Sequence, residues 1–515
     1  MGKALKKIEV APPSENLFSS TSLKVQSTYT QELVIALCGP IGSPLKKVGG
    51  ELKRILENRL GYECQVIKLS KLIEEKAGEA DNSSSFDRTQ DLINKGDDLR
   101  KVYGNSILAD LAIAQIAYGR EKDKQKTADK KIESRRICHI IDSIKNQEEL
   151  EALKSVYRDM LYFMGIFSPL SSREHNLKNK GVVLAEVYQL IDRDSGEEMA
   201  HGQTVRDTFP LADFFLRVDS GSATQLKSKL DRFLNIIFGI DIPTPSADET
   251  AMYLAAAAAA NSACMSRQVG AAITNKIGEV IAVGWNDVPK AGGNLYQYSP
   301  SDQNSENDKR CLHLADERCF NNIEKEEMTK QIAIALKENS LIQNDDQTKV
   351  MQVIQSSKIK DLIEFSRSIH AEMHAIIIGS QIAGDKIRGG KLYCTTYPCH
   401  ACARHIIAAG IDEVYYIEPY RKSLAIKLHS DAITETESEI KKVRILSFDG
   451  VAPSRYLKLF TMKPNTRKES DGKKKYIDPK KALPLDEVTL SSLPALEGIV
   501  VKKLRDVKII NATIQ

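Results

Sequence analysis

The chain has no run of 18 apolar residues, no apolar stretch behind Met1, and no large excess of either charge. Without the first, nothing in it reads as a bilayer-spanning helix. Without the second, the N-terminus does not read as a signal peptide. Position 6 is Lys6, so the Ser or Thr of a myristoylation pattern is missing as well. Lys and Arg number 73 against 69 Asp and Glu, a net charge of +4. That falls short of the basic excess expected of a protein whose main partner is duplex nucleic acid. Cysteine is scarce and odd in number, nine in 515 residues. This argues against a secreted disulfide framework, for a cytoplasmic setting, and for thiols free to hold metal. Internal repeats are absent too. What remains is a globular composition, 42% hydrophobic and 28% charged, with length for two or three domains at about 150 residues each.

Residues 1–30 are polar, with Pro12 and Pro13, and read as a flexible leader. Leu33 to Cys38 is an apolar run with the pattern of a buried strand, and Gly39 to Lys47 is a glycine-bearing loop. A helical period follows through Leu52, Ile55, Leu56 and Leu60, then a short strand at Gln65 to Leu69. Strand, loop, helix and strand make a βαβ unit, and a parallel α/β domain follows from it. Strands are also expected at Ile137–Asp142 and Ala212–Val218, and a helix at Gln225–Phe238. Pro243 and Pro245 mark the domain boundary.

Beyond the boundary a helix over 249–265 carries the run Ala255 to Ala260, suited to close packing. Strands at 269–274 and 280–283 lead to a polar insertion at about 296–345. A helix at 369–382, a strand at 391–396, a helix at 399–409 and a strand at 414–417 complete the pattern. The expected domains are therefore 31–240 and 246–465, with a C-terminal extension at 466–515. Two basic runs, Arg120 to Arg136 and Arg467 to Lys481, read as solvated faces, with nucleic-acid contact as the alternative.

The most specific pattern is His370-Ala-Glu372 followed by Pro398-Cys399-His-Ala-Cys402. Two cysteines three apart at a helix start share a face, and the helix dipole favours their thiolates. His370, Cys399 and Cys402 offer three ligands to a tetrahedral zinc and leave one position for water. Zinc makes that water acidic enough to give hydroxide at neutral pH. Glu372, two residues after the histidine, is placed to move protons between water, ring nitrogen and leaving amine. This pairing of H-x-E with P-C-x-x-C is the signature of zinc nucleobase deaminases. A structural zinc site would need a fourth protein ligand, for which His374, His400 and His405 are nearby. His374 also allows an HxxxH metal pair.

On these motifs, residues 250–465 resemble the deoxycytidylate deaminase family. The resemblance also rests on Ser266 to Ala271, on Gly284-Trp-Asn286-Asp-Val-Pro289, and on Tyr416-Ile-Glu-Pro-Tyr420. It implies that Asn286 holds the deoxyribose hydroxyl, that Arg267 and Gln268 approach the phosphate, and that Tyr420 packs near the base. The family's usual glycine after the asparagine is replaced by Asp287. Cys264 falls where phage-type members place a ligand of a second, structural zinc. Cys311, His313 and Cys319 of the insertion could complete that site; free thiols are the alternative.

In the first half, Gly39, Gly42, Ser43, Lys46 and Lys47 occupy the place of a phosphate-binding loop. A full Walker pattern from Gly39 requires glycine, lysine and Ser/Thr at 44 to 46, where the chain has Pro44, Leu45 and Lys46. The magnesium-binding hydroxyl is missing from its slot. His201 to Asp213 resembles the late segment of P-loop deoxynucleotide-kinase-like domains. The expected fold class is therefore α/β throughout: an N-terminal P-loop kinase-like parallel domain and a C-terminal cytidine-deaminase-like α/β/α domain. A nucleoside triphosphate is the candidate ligand of the first, in a binding or regulatory role ahead of phosphoryl transfer.

Such a fusion resembles the bacterial anti-phage dCTP/dCMP deaminases. The resemblance implies zinc-dependent conversion of dCTP or dCMP to dUTP or dUMP, depleting the cytosine deoxynucleotide pool. It also implies a homo-oligomer and a small regulatory RNA as partner, with no membrane. Editing of single-stranded nucleic acid and housekeeping supply of dUMP are the alternative readings.

Overall fold

Aliphatic and β-branched runs build the first sheet. The computed structural model describes residues 25–26, 28–126, 132–195, 202–219, 223–300, 307–342, 347–419, 423–462 and 466–510. Strands β1 (Leu33–Cys38), β2 (Glu63–Lys68), β3 (Ile137–Asp142), β4 (Leu161–Phe167) and β5 (Phe214–Arg217) lie parallel, in the order β2-β3-β1-β4-β5. Every residue of β1 is buried, as an apolar central strand covered on both faces requires. Helix α1 (Leu45–Asn58) turns Leu45, Val48, Leu52, Ile55 and Leu56 inward, the i, i+3, i+4 spacing of one apolar face. Helices α2 (Ile107–Lys124) and α3 (Ala223–Phe238) belong to the two apolar layers on opposite faces of this sheet.

The second sheet runs β7 (Val280–Trp285), β6 (Gly270–Thr274), β8 (Lys391–Thr396), β9 (Glu413–Glu418), β11 (Val443–Ser447), β10 (Ile433–Thr434). Strand β6 is antiparallel to both its neighbours, and the others run parallel from β8 onward. Helix α4 (Ala247–Ala259) packs against β6 so closely that a Cβ at Gly270 would lie 1.9 Å from the Ala255 carbonyl oxygen. The alanine run therefore does what its composition implies. Helices α5 (Phe320–Glu338), α6 (Gln347–Ser356), α7 (Ala371–Ala383) and α8 (His400–Ala409) follow in order. The polar insertion expected at about 296–345 thus carries helix α5, and α6 follows directly after it.

Pro243 and Pro245 lie in unpaired coil between α3 and α4. The C-terminal part of the chain does not stay with the second half. Strand β12 (Gly450–Val451) pairs antiparallel with β5 at the edge of the first sheet. Helix α9 (Leu493–Asp506) packs on α2 and buries Leu493, Glu497 and Leu504. Residues 450–451, expected to belong to the second domain, thus extend the first sheet at β5, and α9 of the extension after residue 465 covers α2. The buried carboxylate of Glu249 ties the halves together. It caps α4 through Ser246, accepts from both Arg232 terminal nitrogens at 2.8 and 2.6 Å, and accepts from Val451 N at 2.9 Å.

Residues 1–24 of the expected leader, residues 127–131 of the first basic run, His201, and residues 301–306 and 343–346 of the insertion lie outside the described residues. Among the described residues no helix is long and apolar enough to cross a membrane.

Candidate active site

Two helix N-termini converge at the end of the second sheet where β7 and β8 finish. His370 occupies the N-cap of α7 and Cys399 the N-cap of α8. Cys402, in the first turn of α8, donates its backbone N–H to Cys399 Sγ at 3.4 Å. His370 Nδ1 lies 3.2 Å from Cys402 Sγ and 3.3 Å from Cys399 Sγ. The three donor atoms lie within 4.8 Å of one another, and among the described residues no other such cluster forms. One imidazole and two thiols, converging on one point with a helix dipole behind the thiols, fit a zinc ion.

Protonation follows from the same contacts. The Cys402 thiol bonds to Cys399 and His370 adds to it, so Cys399 falls to about 4 despite burial. Cys402 is held far above the ordinary thiol range by that bond and by burial. The hydrogen bond to Cys399 lifts His370 to about 9 against its burial. The trio therefore holds a thiolate and protons that a dication would displace. Glu372, in the first turn of α7, is almost wholly buried, at 4% exposure. Burial raises its pKa, with the neighbouring His370 opposing. A carboxyl that is readily protonated there suits the proton carrier of a hydrolysis.

His374 is not part of this cluster. Its Nδ1 accepts from Trp285 N at 3.2 Å, its Nε2 lies 3.2 Å from Asn294 Oδ1, and its ring meets Trp285 edge-on. Its partners fix it as a structural histidine, which disposes of the HxxxH pair. His400 faces Glu364, and His405 bonds the Ala401 carbonyl. Neither joins the cluster as a fourth ligand.

His370, Cys399 and Glu372 open into a pocket of about 450 Å³. Asn286 lines it, but its amide is also a clamp: Oδ1 accepts from Val269 N at 2.7 Å and Nδ2 donates to Arg267 O at 2.8 Å. The clamp holds Arg267 at the pocket rim, where its guanidinium pairs with Glu418 at 3.1 Å. Gln268 is exposed and donates to the Ser262 carbonyl at 2.7 Å, bracing the turn. Asp287 does similar work, accepting from Ala263 N and Val288 N and facing Arg310. Tyr420 lies outside the described residues. Asn321 and Lys360, from the insertion and the segment after it, form part of the wall, and Arg206 reaches the pocket from the first half of the chain. Nothing in sequence spacing brings these three near His370; only the fold does.

Cys264, Cys311 and Cys319 are free thiols close enough to influence one another electrostatically. His313 points elsewhere, with Nε2 3.4 Å from Asp308. The four do not converge as His370, Cys399 and Cys402 do.

In the first half, Gly42 turns the loop at φ +85°, and a Cβ there would lie 2.8 Å from the Arg173 carbonyl oxygen. The Ile41 N–H donates to the buried Asp194 carboxylate at 2.7 Å, and Lys145 bonds that carboxylate at 2.7 Å and the Gly39 carbonyl at 2.8 Å. A carboxylate of the chain itself thus holds a loop N–H that a phosphate would use. Ser43 Oγ is buried without a partner, while Lys46 and Lys47 are exposed.

Residues 245–418 match the family model of the cytidine and deoxycytidylate deaminase zinc-binding region. ComE operon protein 2 of Bacillus subtilis is 48% identical over 56 residues, which is 11% of this chain and 29% of that protein. Deoxycytidylate deaminase of enterobacteria phage T4 is 28% identical over 178 residues, 34% of this chain and 79% of the relative. Among solved structures, dCMP deaminase from the cyanophage S-TIM5, in complex with dCMP and dUMP, aligns with 40% of this chain and 99% of its own at 20% identity, with a TM-score of 0.24. Residues 245–418 are thus similar to a deaminase zinc-binding region, and the three donors and the carboxyl described above lie within that matched span.

Proposed function

We propose that the protein is a zinc-dependent hydrolase that replaces the 4-amino group of cytosine in deoxycytidine nucleotides by oxygen, releasing ammonia. The observation that carries this reading is the buried carboxyl of Glu372 beside the three-donor cluster, at the base of one pocket. His370, Cys399 and Cys402 would hold a zinc ion, which would supply the Lewis acidity that makes water a nucleophile at neutral pH. Glu372 takes the water's proton and passes it to the ring nitrogen, then delivers a proton to the leaving amine. Water adds at C4, the C4–N bond breaks, and ammonia leaves, so atoms balance without any redox partner. Burial of Glu372 excludes bulk water from that shuttle.

Arg267 and Gln268 act toward the phosphate, Asn286 toward the deoxyribose hydroxyl, and Tyr420 beside the base. The structural load on Asn286 means its loss would disorder the 267–269 segment as well as a sugar contact. In the finer reading, the substrates are dCTP and dCMP and the reaction depletes the dCTP pool in anti-phage defence. The first half then serves as a nucleotide-binding or regulatory module, the protein acts as a homo-oligomer in the cytoplasm, and a small RNA restrains it. A second, structural zinc at Cys264, Cys311, His313 and Cys319 belongs to the same reading. Two zinc ions per chain, falling to one in Cys311→Ser, would support it; one zinc in both would remove it.

The direct test incubates the purified full chain with dCMP, dCTP, dAMP and cytosine-containing single-stranded DNA, measuring ammonia and separating products. Deoxyuridine products from the deoxycytidine nucleotides alone are expected, with Glu372→Ala losing at least a hundredfold in rate while retaining zinc. Full activity in Glu372→Ala would sink the mechanism, and deamination of the DNA strand alone would favour an editor.

A further inference from the structure

The wall of the zinc pocket includes one residue from the first half of the chain. Arg206, on the short helix Val205–Thr208, lines it together with Arg267 and Lys360. The carboxylates of the same wall are Asp361, Glu372 and Glu418. Arg267 pairs with Glu418 at 3.1 Å, and Glu418 also accepts from Thr396 Oγ1 at 3.2 Å. In the deaminase reading Arg267 and Gln268 meet one phosphate, and Arg206 and Lys360 have no part.

The backbone of Arg206 is fixed at the rim by what surrounds it. Val205, Thr208 and Phe209 are buried. Thr204 N donates to the Lys145 carbonyl at 2.8 Å, and Thr208 Oγ1 donates to the Thr204 carbonyl at 2.9 Å. The turn that follows, Phe209–Leu211, rests on β9, whose last residue Glu418 lines the same pocket. The guanidinium itself stays 35% exposed. Its Nε donates to Asp207 Oδ1 at 3.0 Å, and the Asp207 side chain is 51% exposed. Water screens an ion pair that exposed, so it contributes little and a polyanion can displace the carboxylate. The planar guanidinium fork matches two phosphate oxygens at once. Lys360 is exposed on the segment after α6, which is anchored to α5 where Lys325 Nζ donates to the Lys360 carbonyl at 2.7 Å.

We propose that Arg206, with Lys360, binds the β- and γ-phosphates of a deoxycytidine triphosphate in the zinc pocket, so that the first half of the chain sets the length of phosphate chain the pocket prefers. Asn286 and Arg267 serve the sugar and α-phosphate that mono- and triphosphate share, and the longer chain gains Arg206 and Lys360. Asp207 and Asp361, beside the two cations in sequence, oppose the polyanion and limit that gain. This selection rests on the deaminase reading for the orientation of the nucleotide, with its base toward Glu372.

The test uses the full zinc-loaded chain carrying Glu372→Ala, which holds the nucleotide without turning it over, titrated calorimetrically with dCTP and dCMP. The parent should bind dCTP about tenfold tighter than dCMP, the usual worth of one charge-assisted phosphate contact. Adding Arg206→Ala should cut that preference at least threefold, and Arg206→Ala with Lys360→Ala should bring the two affinities together. Adding Asp207→Asn instead, which removes the competing carboxylate, should raise the preference, a gain that damage to the fold does not produce. Equal affinities in the parent, a preference that Arg206→Ala cuts less than threefold, or one that Asp207→Asn fails to raise would overturn the proposal. Ammonia release by the wild-type chain tests the deaminase reading separately. If no deoxycytidine nucleotide yields ammonia while the preference for dCTP still depends on Arg206, the reaction fails and the phosphate contact stands.

Discussion

His370, Glu372 and His374 stand two residues apart on the start of one helix, yet they meet three environments. His370 faces two sulfurs, Glu372 is buried beside them, and His374 turns back to Trp285 and Asn294. Glu372 and His374 diverge because two residues advance about 200° around an α-helix, and His370 leaves the face of His374 because it sits at the N-cap with extended backbone (φ −78°, ψ 153°). His374→Ala should therefore keep its zinc while losing about 1–3 kcal/mol of stability, because the Trp285 N–H is left without its acceptor. Zinc content and thermal midpoint, measured together, separate this outcome from a ligand role. Cys399→Ser and Cys402→Ser should lose zinc altogether, read by metal analysis after dialysis. The H-x-E and P-C-x-x-C spacing made the three-donor cluster and Glu372 legible in the sequence, because all four residues stand at local helix starts. Arg206, Asn321 and Lys360 were not legible, because each comes from a segment with no periodicity linking it to His370.

Elements place the site through close backbone contacts. A Cβ on Gly284 of β7 would stand 2.4 Å from Ala375 N and 2.5 Å from the Ala371 carbonyl oxygen of α7. Helix α7 can lie this near the sheet only over glycine, and its N-terminus thereby brings His370 to the sulfurs. Gly284→Ala should push α7 outward, cost about 1–3 kcal/mol as overpacking, and lower zinc affinity more than a surface substitution does. Competition with a zinc chelator would read that loss. Gly270 plays the same part for α4 against β6. At this scale the strands β1, β3 and β8 agree with the sequence expectation, since each is an apolar run flanked by polar residues. Strands β10, β11 and β12 are absent from the expectation, and so is β4. Its run Leu161–Phe167 directly follows α-helical periodicity, and short apolar runs do not declare their secondary structure.

The whole molecule is held by long-range charge as well as by its sheets. Buried Arg120 donates to Glu32 at 2.5 and 2.7 Å and to Glu497 at 2.9 Å, joining residues at opposite ends of the chain. Burial would raise the Glu32 pKa, but Arg120 and Arg135 outweigh it and hold it below the ordinary 4.5. Its stabilising contribution is thus present above the ordinary carboxylate range and disappears as pH falls through the lowered value. Glu32→Gln should be less stable at neutral pH by about 3–5 kcal/mol, the usual cost of breaking a buried pair. It should also lose less on acidification than wild type, as followed by thermal midpoints from pH 7 to 3. A fragment ending at residue 244 lacks β12 and α9, so β5 loses a neighbour and α2 exposes its apolar face. Such a fragment should melt well below the intact protein or precipitate, and adding residues 450–510 in trans should raise its solubility.

The sequence by itself determined the α/β class, the coil at Pro243 and Pro245, and the helix starts that carry His370, Glu372, Cys399 and Cys402. Each depends on local periodicity, on proline, or on residues within one helical turn. Only the tertiary structure decided that residues 450–451 join the first sheet, that Asp194 accepts the Ile41 N–H of the phosphate-like loop, and that Arg206 lines the pocket beside His370. Those contacts join segments tens to hundreds of residues apart, and burial of apolar faces and pairing of buried charge select them, which no local pattern encodes.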